Sequence, residues 1–225
     1  MFWIPLLAGI VGAAFSAAVM RQYIARRRPY QAVWGAALAM FAAAALLEAA
    51  GVGSGWTPAI YKAYYLLGGL LNVGWLAAGT VYLLASNRVG HAAAIAMAVV
   101  TLLSLAVVGN AHVDVSRLHT QFPNRALDVP AIFPALINSL ATLVLVGGAA
   151  WSAFAAYRRH SPPGRVVGTA LIAAGALVVG ADHSVAQLTG LIVLQPLSEA
   201  IGIVVMFGGY LAIEVRSQRA RTVAR

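Results

Sequence analysis

The stretch RRRPYQAVWGAALAMFAAAALLEAAG, residues 26–51, shows the pattern on which the whole chain is built. Three arginines and a proline precede an apolar run of the ~20 residues that a helix needs to cross a bilayer core of ~30 Å. Proline suits the first turn of a helix, because the amide hydrogen that it lacks has no intrahelical partner there. The alternation of basic turns with long apolar runs recurs along the chain, so we expect a bundle of membrane-spanning helices.

The composition of the 225 residues agrees with this expectation, because 61% are hydrophobic and only 9% are charged. Soluble domains carry about 25% charged residues. We predict one all-α domain, residues 1–225, formed by a bundle of seven transmembrane helices. The predicted spans are Met1–Met20, Gln31–Gly51, Lys62–Ala85, His91–Val108, Ala131–Tyr157, Val166–Leu188 and Leu191–Val215.

The basic residues are distributed unevenly between the two sides of this bundle. Short loops rich in Lys and Arg are retained in the cytoplasm, so we predict an external N-terminus and a cytoplasmic C-terminus in the inner (plasma) membrane. The net charge of +9 then indicates topology and contact with anionic lipid headgroups, and we expect no nucleic-acid partner. Twelve arginines fall on the predicted inner side, against Lys62, Arg117 and Arg125 outside: Arg21, Arg26, Arg27, Arg28, Arg88, Arg158, Arg159, Arg165, Arg216, Arg219, Arg221 and Arg225.

Two predicted outer loops are longer than the other connections. Gly51–Ile60 reads GVGSGWTPAI, a glycine-rich turn with an interfacial Trp56, and Pro58 is suited to starting the next helix. Gly109–Pro130 holds 22 residues. Loops of that length are often functional lids, and a disordered strap is the alternative.

The third span has an unusual face for a helix surrounded by lipid. Aromatic, polar and small residues recur at steps of three and four, a spacing that keeps them on one side of a helix. We expect this side to point into the bundle, either as polar packing or as one wall of a cavity. The residues are Tyr61, Tyr65, Gly68, Asn72, Trp75, Gly79 and Tyr82.

Three acidic residues lie within the predicted spans, where ionisable groups are costly and usually mark a pathway or binding site. Glu48, Asp182 and Glu199 all fall in the outer half of the bundle. The short turn between the last two spans makes them antiparallel neighbours, so Asp182 and Glu199 could meet and form a proton relay, a cation site or an amine-binding site. The alternative is that each acid bonds a neighbouring side chain and fixes packing. The complete predicted site adds Asn72, Tyr65, Trp75, Asn138, His183 and Gln195.

Several familiar chemistries find no support in the sequence. Asp182, His183 and Ser184 are consecutive in a helix, where directions diverge by ~100° per residue, so they cannot form a hydrolytic triad. The last span has no lysine for a retinal Schiff base. No cysteine is present to form a disulfide or a thiolate metal site. We expect no cofactor, no bound metal and no enzymatic activity. An alternative is a divalent-metal site formed by His112, Asp114 and His119.

The segment Arg26–Ala85, which continues from the opening stretch to WTPAIYKAYYLLGGLLNVGWLAAGTVYLLA, resembles an uncharacterised family of bacterial seven-helix membrane proteins. More distantly it is similar to the seven-helix sensor regions that precede bacterial histidine kinases and cyclases. The resemblance covers the second and third spans. It implies a seven-helix module that binds a small or apolar ligand and passes a helix shift to an effector.

These observations favour a non-enzymatic, receptor-like membrane protein with an outward-facing polar and aromatic cavity for a small molecule or lipid. One alternative is a proton- or cation-coupled transporter or channel, which needs a continuous polar route through the bundle. Another is a structural subunit of a larger membrane complex. A partner membrane protein or a second copy of the chain is compatible with its alanine-rich faces.

Overall fold

The computed structural model describes the backbone of residues 2–120, 122–123, 125–159, 163–189 and 195–223. Within these ranges, it describes the side chains of all residues except 163–165, 180–189, 195 and 214–223. The described chain is helical, and its one β-feature is an isolated antiparallel bridge between Val113 and Leu127. The helices are α1 Trp3–Arg26, α2 Pro29–Ser54, α3 Pro58–Tyr64, a π-helix Tyr65–Leu71, α4 Asn72–Leu84, α5 Asn87–Asn110, a 3-10 helix Val115–His119, α6 Ile132–Arg158, α7 Pro163–Thr189 and α8 Gln195–Val223.

Each predicted span overlaps a helix or, for the third, α3, the π-helix and α4 in series. Residue 1 of the first span and residues 191–194 of the last lie outside the described residues. Six helices in the described part of the chain are long and apolar enough to cross a membrane. The apolar stretch described within α7 is shorter, Val166–Val179. The protein is therefore an all-helical, multi-pass membrane protein, as its hydropathy predicts.

The prediction of a long loop at Gly51–Ile60 is wrong. α2 continues to Ser54 and α3 begins at Pro58, so the connection contains only residues 55–57. Pro58 occupies the first helical turn as predicted, and the Thr57 hydroxyl caps it by accepting a 3.2 Å hydrogen bond from the Ile60 amide.

The chain divides into two compact units, Met1–Leu145 and Val146–Arg225. In the first unit, α1 and α2 pack closely through small residues. The side chain of Leu46 lies where a Cβ on Gly9 would be, and the Ser16 hydroxyl donates a 2.7 Å hydrogen bond to the Gly35 carbonyl. Small residues allow close approach of helices in lipid, where hydrophobic exclusion does not drive association.

α2 packs against the third span in an antiparallel register. The Trp34 indole lies against Gly79 and donates a 3.0 Å hydrogen bond to the Leu76 carbonyl. Nearer the other end of α2, Ala44 contacts Gly68, where a Cβ would lie 3.0 Å from the Ala44 methyl. These two contacts fix which turns of α2 and of the third span lie side by side.

The predicted inward face of the third span packs against more than one neighbour. No residue of 61–82 is exposed, so burial does not distinguish this face from the others. Gly68 and Gly79 face α2. Trp75 instead donates a 3.1 Å hydrogen bond to Thr101 of α5, and the Tyr82 ring lies against Gly90 of α5. The third span is therefore wedged between two helices, and its aromatic and small residues make packing contacts with both.

In the second unit, α7 and α8 meet through two pairs of glycines spaced seven residues apart on each helix. Gly168 lies opposite Gly209, and Gly175 lies opposite Gly202. A Cβ placed on Gly209 would be 2.6 Å from the Gly168 carbonyl oxygen, a contact with backbone atoms that cannot yield without separating the helices.

We therefore predict that Gly209→Ala destabilises the protein by about 1–3 kcal/mol, the usual cost of overpacking. Gly208→Ala is the matched control, because no described heavy atom lies within 4 Å of its added Cβ, and its effect should stay below ~1 kcal/mol. Unfolding in mixed micelles followed by circular dichroism measures both. Equal stability of the two variants would contradict the glycine contact.

Candidate functional site

A folded cap, defined here as residues 111–130, covers one end of the first unit. The prediction left open whether this segment is a lid or a disordered strap, and in the structure it is folded. Backbone hydrogen bonds join its two arms, from Asp114 N–H to the Ala126 carbonyl at 2.8 Å and from Asp128 N–H to the His112 carbonyl at 3.0 Å. The buried cluster beneath it combines cap and helix residues: Val113, Leu118, Ala126 and Leu127 with Tyr61, Leu70, Leu71 and Val108.

Polar bonds attach the cap and the adjoining end of α5 to the start of α3. The Tyr61 hydroxyl donates to the Pro123 carbonyl at 3.5 Å, and the Lys62 ammonium donates to the Gly109 carbonyl at 2.8 Å. The Lys62 bond places a cation at the carbonyl end of α5, where the helix dipole favours positive charge. The cap therefore connects α3 to the end of α5.

The 3-10 helix of the cap is preceded by an aspartate whose carboxylate accepts three hydrogen bonds. The Asp114 carboxylate accepts from the Ser116 hydroxyl at 2.5 Å, the Ser116 amide at 3.1 Å and the Arg117 guanidinium at 2.9 Å. Bonds from Ser116, and then from Arg117, hold the pKa of Asp114 below its ordinary value. Asp114 is thus occupied in shaping the cap.

An open cavity of about 460 Å³ lies between the last turn of α2 and the cap. One side consists of the end of α2 and the turn after it, and the other consists of the end of the 3-10 helix. The lining is an indole, an imidazole, a hydroxyl and backbone polar groups beside two aliphatic side chains. The lining residues are Gly51, Val52, Gly55, Trp56, Leu118, His119 and Thr120.

Trp56 is the largest side chain lining the cavity, and its position depends on a glycine. Its ring lies directly on Gly51, where any Cβ would collide with the indole. The ring also contacts Tyr61 and Tyr64 edge to face, with centroids 5.7 Å and 5.3 Å apart. Two tyrosines and a bare stretch of helix backbone therefore hold the indole at the cavity wall.

Glu48 is buried in α2 one turn before Gly51, with 3% of its surface exposed. It precedes Gly51 by three residues and Val52 by four, so the three residues share a helix face. The contact of Ala44 with Gly68 sets an antiparallel register in which Glu48 is level with Tyr64. Glu48 is not among the residues that line the cavity, and its role at the mouth of a site stays a prediction.

The other predicted residues of the first unit lie deeper, around the π-helix. A π-turn inserts an extra residue into the helix and interrupts its hydrogen-bond ladder. The Asn138 side chain of α6 donates a 2.8 Å hydrogen bond to the Gly69 carbonyl within this turn. The Oδ1 atom of Asn138 is buried with no hydrogen-bond partner among the described residues.

Asn72, Tyr65 and Trp75 are packed around the same region and do not line the cavity. Asn72 is 5% exposed, and its Oδ1 accepts from the Val73 amide at 2.6 Å. Tyr65 and Trp75 are half-buried beside the cluster under the cap. The structure therefore brings Tyr65, Asn72, Trp75 and Asn138 together around the π-helix.

The predicted carboxylate pair belongs to the second unit. Glu199 is buried in α8, 9% exposed. The side chains of Asp182, His183 and Gln195 lie outside the described residues. The glycine pairs give only a backbone register: Asp182 follows Gly175 by seven residues along α7, and Gln195 precedes Gly202 by seven residues along α8. Whether the two acids meet stays a prediction.

His112, Asp114 and His119 do not come together in the cap. No group of three or more His, Asp or Glu side chains in the described part of the chain is arranged to hold a metal ion. The sequence prediction also undervalued Trp56, which it treated as an interfacial anchor, and Gly51. The run GVGSGW was the available signal, because glycines beside an aromatic residue allow a ring to lie on the backbone.

Comparison of the chain with models of protein families, with curated proteins and with solved structures found no match.

We predict that Asn138→Ala destabilises the protein by about 1 kcal/mol, because the Gly69 carbonyl loses its donor. Ser139→Ala at the next, exposed position is the control and should be neutral. Hydrogen exchange of residues 65–72, together with unfolding in mixed micelles, measures the effect. Unchanged protection of these amides in Asn138→Ala would contradict a role of Asn138 in holding the π-turn.

Proposed function

We propose that this protein is a seven-helix plasma-membrane protein without catalytic activity that binds a small molecule at an outward-facing cavity, as a receptor-like module does. The site is the cavity between the end of α2 and the cap, with Trp56 and His119 on its walls. The seventh crossing is α7, whose 27 residues are sufficient in length for a bilayer.

The distribution of charge supports this orientation. Arg26 ends α1, Arg27 and Arg28 form the turn before α2, and Arg88 lies in the first turn of α5. The cavity lies at the opposite end of α2. The positive-inside rule assigns the arginine turns to the cytoplasm and hence the cavity to the exterior.

The observation that carries the proposal is the cavity itself. It is a concave site within the usual size range of small-molecule pockets, ~300–1,000 Å³, and it combines an aromatic wall with a few polar groups. A folded segment forms one side of it, and polar bonds fasten that segment to α3. A connection that served only to join α5 to α6 would not need this structure.

The orientation is testable by cysteine labelling, since the chain has no cysteine of its own. Asp128→Cys in the cap should react with a membrane-impermeant maleimide in intact cells. Arg88→Cys is the matched control, exposed at the opposite end, and should react only after the cells are permeabilised. The reverse pattern would contradict an external cavity.

The binding function is tested with a library of water-soluble fragments, screened by ligand-observed NMR against the full chain in lipid nanodiscs. We expect fragments whose binding weakens about tenfold or more in Gly51→Ala, because the added methyl pushes the Trp56 ring towards the cavity. Gly53→Ala is the control, since its Cβ meets Phe2 at an ordinary 3.6 Å. Absence of any fragment that binds the wild type and is weakened by Gly51→Ala would overturn the proposal.

A further inference from the structure

Two short turns lie at the arginine-bearing end of the first unit, away from the cavity. Residues 27–28 join α1 to α2, and residues 85–86 join α4 to α5. We infer that the first of these turns binds the phosphate of an anionic phospholipid, with the Arg27 guanidinium as its anchor and Arg28 beside it. This site is independent of the cavity, and it is more specific than the general contact with headgroups that the net charge predicts.

Packing between helices places both turns at the same end of the unit. The Trp34 indole, near the start of α2, lies against Gly79, near the end of α4. Arg88, exposed in the first turn of α5, therefore adds a further positive charge to this end. Tyr23 and Tyr30 flank the α1–α2 turn along the chain, and tyrosine is enriched at the level of lipid headgroups.

The backbone and an aromatic ring hold the Arg27 side chain at the turn. Arg27 ends α1 in the left-handed region, with φ 52° and ψ 34°, and its amide donates a 2.7 Å hydrogen bond to the Tyr23 carbonyl. The guanidinium carbon lies over the Tyr23 ring, 5.8 Å from its centre. Stacking uses the face of a guanidinium, whereas phosphate is bound through the N–H groups at its edge. The Tyr23 contact is thus compatible with a phosphate ligand, and it reduces the side-chain freedom lost on binding.

The acidic residues of the first unit all lie towards its other end. Glu48 is in the last third of α2, and Asp114 and Asp128 belong to the cap. Arg27 and Arg28 are both exposed. Within the first unit, the charge of this turn is therefore complemented by no nearby carboxylate, and an external anion is the matching partner.

Exposed apolar side chains beside the arginines favour a phospholipid over a water-soluble anion. Ile24, one turn of α1 before Arg27, is 65% exposed, and Val89, next to Arg88, is 50% exposed. Acyl chains can cover these side chains while the phosphate contacts the guanidinium groups. A turn of two residues also keeps Arg27 and Arg28 close to the ends of apolar helices, at the depth where basic residues meet anionic headgroups.

Lipid binding is measured by native mass spectrometry of the full chain, purified in detergent and titrated with phosphatidylglycerol or phosphatidylcholine of the same acyl chains. We expect the first bound phosphatidylglycerol to have about tenfold or more higher affinity than phosphatidylcholine, since each arginine near the surface contributes about fivefold. Inorganic phosphate at the same concentration should not displace the lipid, because it lacks the acyl chains.

The left-handed backbone allows the Arg27 side chain to be removed without straining the turn. Glycine adopts positive φ readily, so Arg27→Gly should unfold at or above the wild-type temperature and bind phosphatidylglycerol about fivefold more weakly. Arg125→Gly is the matched control. Arg125 is also exposed and has φ 51°, but it lies in the cap at the other end of the unit. The same change of charge and backbone there should leave lipid binding unchanged.

Two further variants distinguish a guanidinium site from diffuse attraction. Arg27→Lys keeps the positive charge but loses the planar fork of donors, and it should weaken binding about twofold to threefold. Arg28→Gln removes the neighbouring exposed charge and should weaken binding about fivefold. It also gives an independent answer if Arg27→Gly does not fold.

Equal affinity for the two lipids, equal effects of Arg27→Gly and Arg125→Gly, unchanged binding in Arg27→Lys, or displacement by inorganic phosphate would each overturn the lipid site. Poly-glutamate serves as a probe for an acidic protein partner. If Arg27→Gly weakened its binding and left phosphatidylglycerol binding unchanged, the turn would belong to such a partner and the lipid assignment would be wrong. The fragment screen of the cavity is unaffected by any of these results.

Discussion

A backbone carbonyl in a lipid-embedded helix must find a hydrogen-bond donor within the protein, and this requirement organises the first unit. The π-helix breaks the ladder of the third span, and Asn138 supplies a donor to the Gly69 carbonyl. The Leu76 carbonyl receives the Trp34 indole. Since water is absent from the bilayer core, irregular backbone is tolerated there only where protein covers it. Polar side chains such as Asn138 are therefore part of how the bundle is held together.

The same requirement explains why small residues and polar residues occur side by side. A side-chain donor reaches a neighbouring helix's carbonyl only if the two backbones are close, and glycines permit that approach. Gly79 accommodates the Trp34 ring whose nitrogen bonds Leu76. Gly51 likewise accommodates Trp56. The packing of α2 on the third span and the shape of the cavity thus depend on the same kind of contact, in which an indole ring lies against a glycine of a helix.

Much of the fold could be predicted from the sequence, because bilayer thickness dictates the length of an apolar run. The apolar spans and the start of α3 at Pro58 follow from hydropathy and spacing. The exact helix ends do not, since α2 continues past Gly51 to Ser54. The π-helix and the division of the third span's packing residues between α2 and α5 do not follow either. They depend on which turns of neighbouring helices meet, and that register is decided by contacts such as Ala44 with Gly68.

The candidate site was predictable only in outline, for a related reason. Glu48 and the segment 109–130 were placed at the mouth of a site because a buried acid and a long loop are each unusual. The run GVGSGW signalled a ring lying on bare helix backbone, but the place of Trp56 at the cavity also depends on the folding of the cap, which was not predicted. A loop that folds on its own short-range contacts, as Asp114 does with Ser116 and Arg117, leaves little periodic signal in the sequence.

The cavity is also connected to the interior through a short series of contacts. Trp56 touches Tyr61 and Tyr64, and Tyr64 is the last residue before the π-helix. A ligand that moved the indole would press on the helix just where its hydrogen-bond ladder changes register, and such π-turns are common at functional sites. Because the Gly69 carbonyl in the π-helix accepts a hydrogen bond from the Asn138 side chain of α6, this bond links a shift in α3 to α6. These contacts form a continuous series from the cap into the bundle, and the receptor-like function that we propose would depend on such a series.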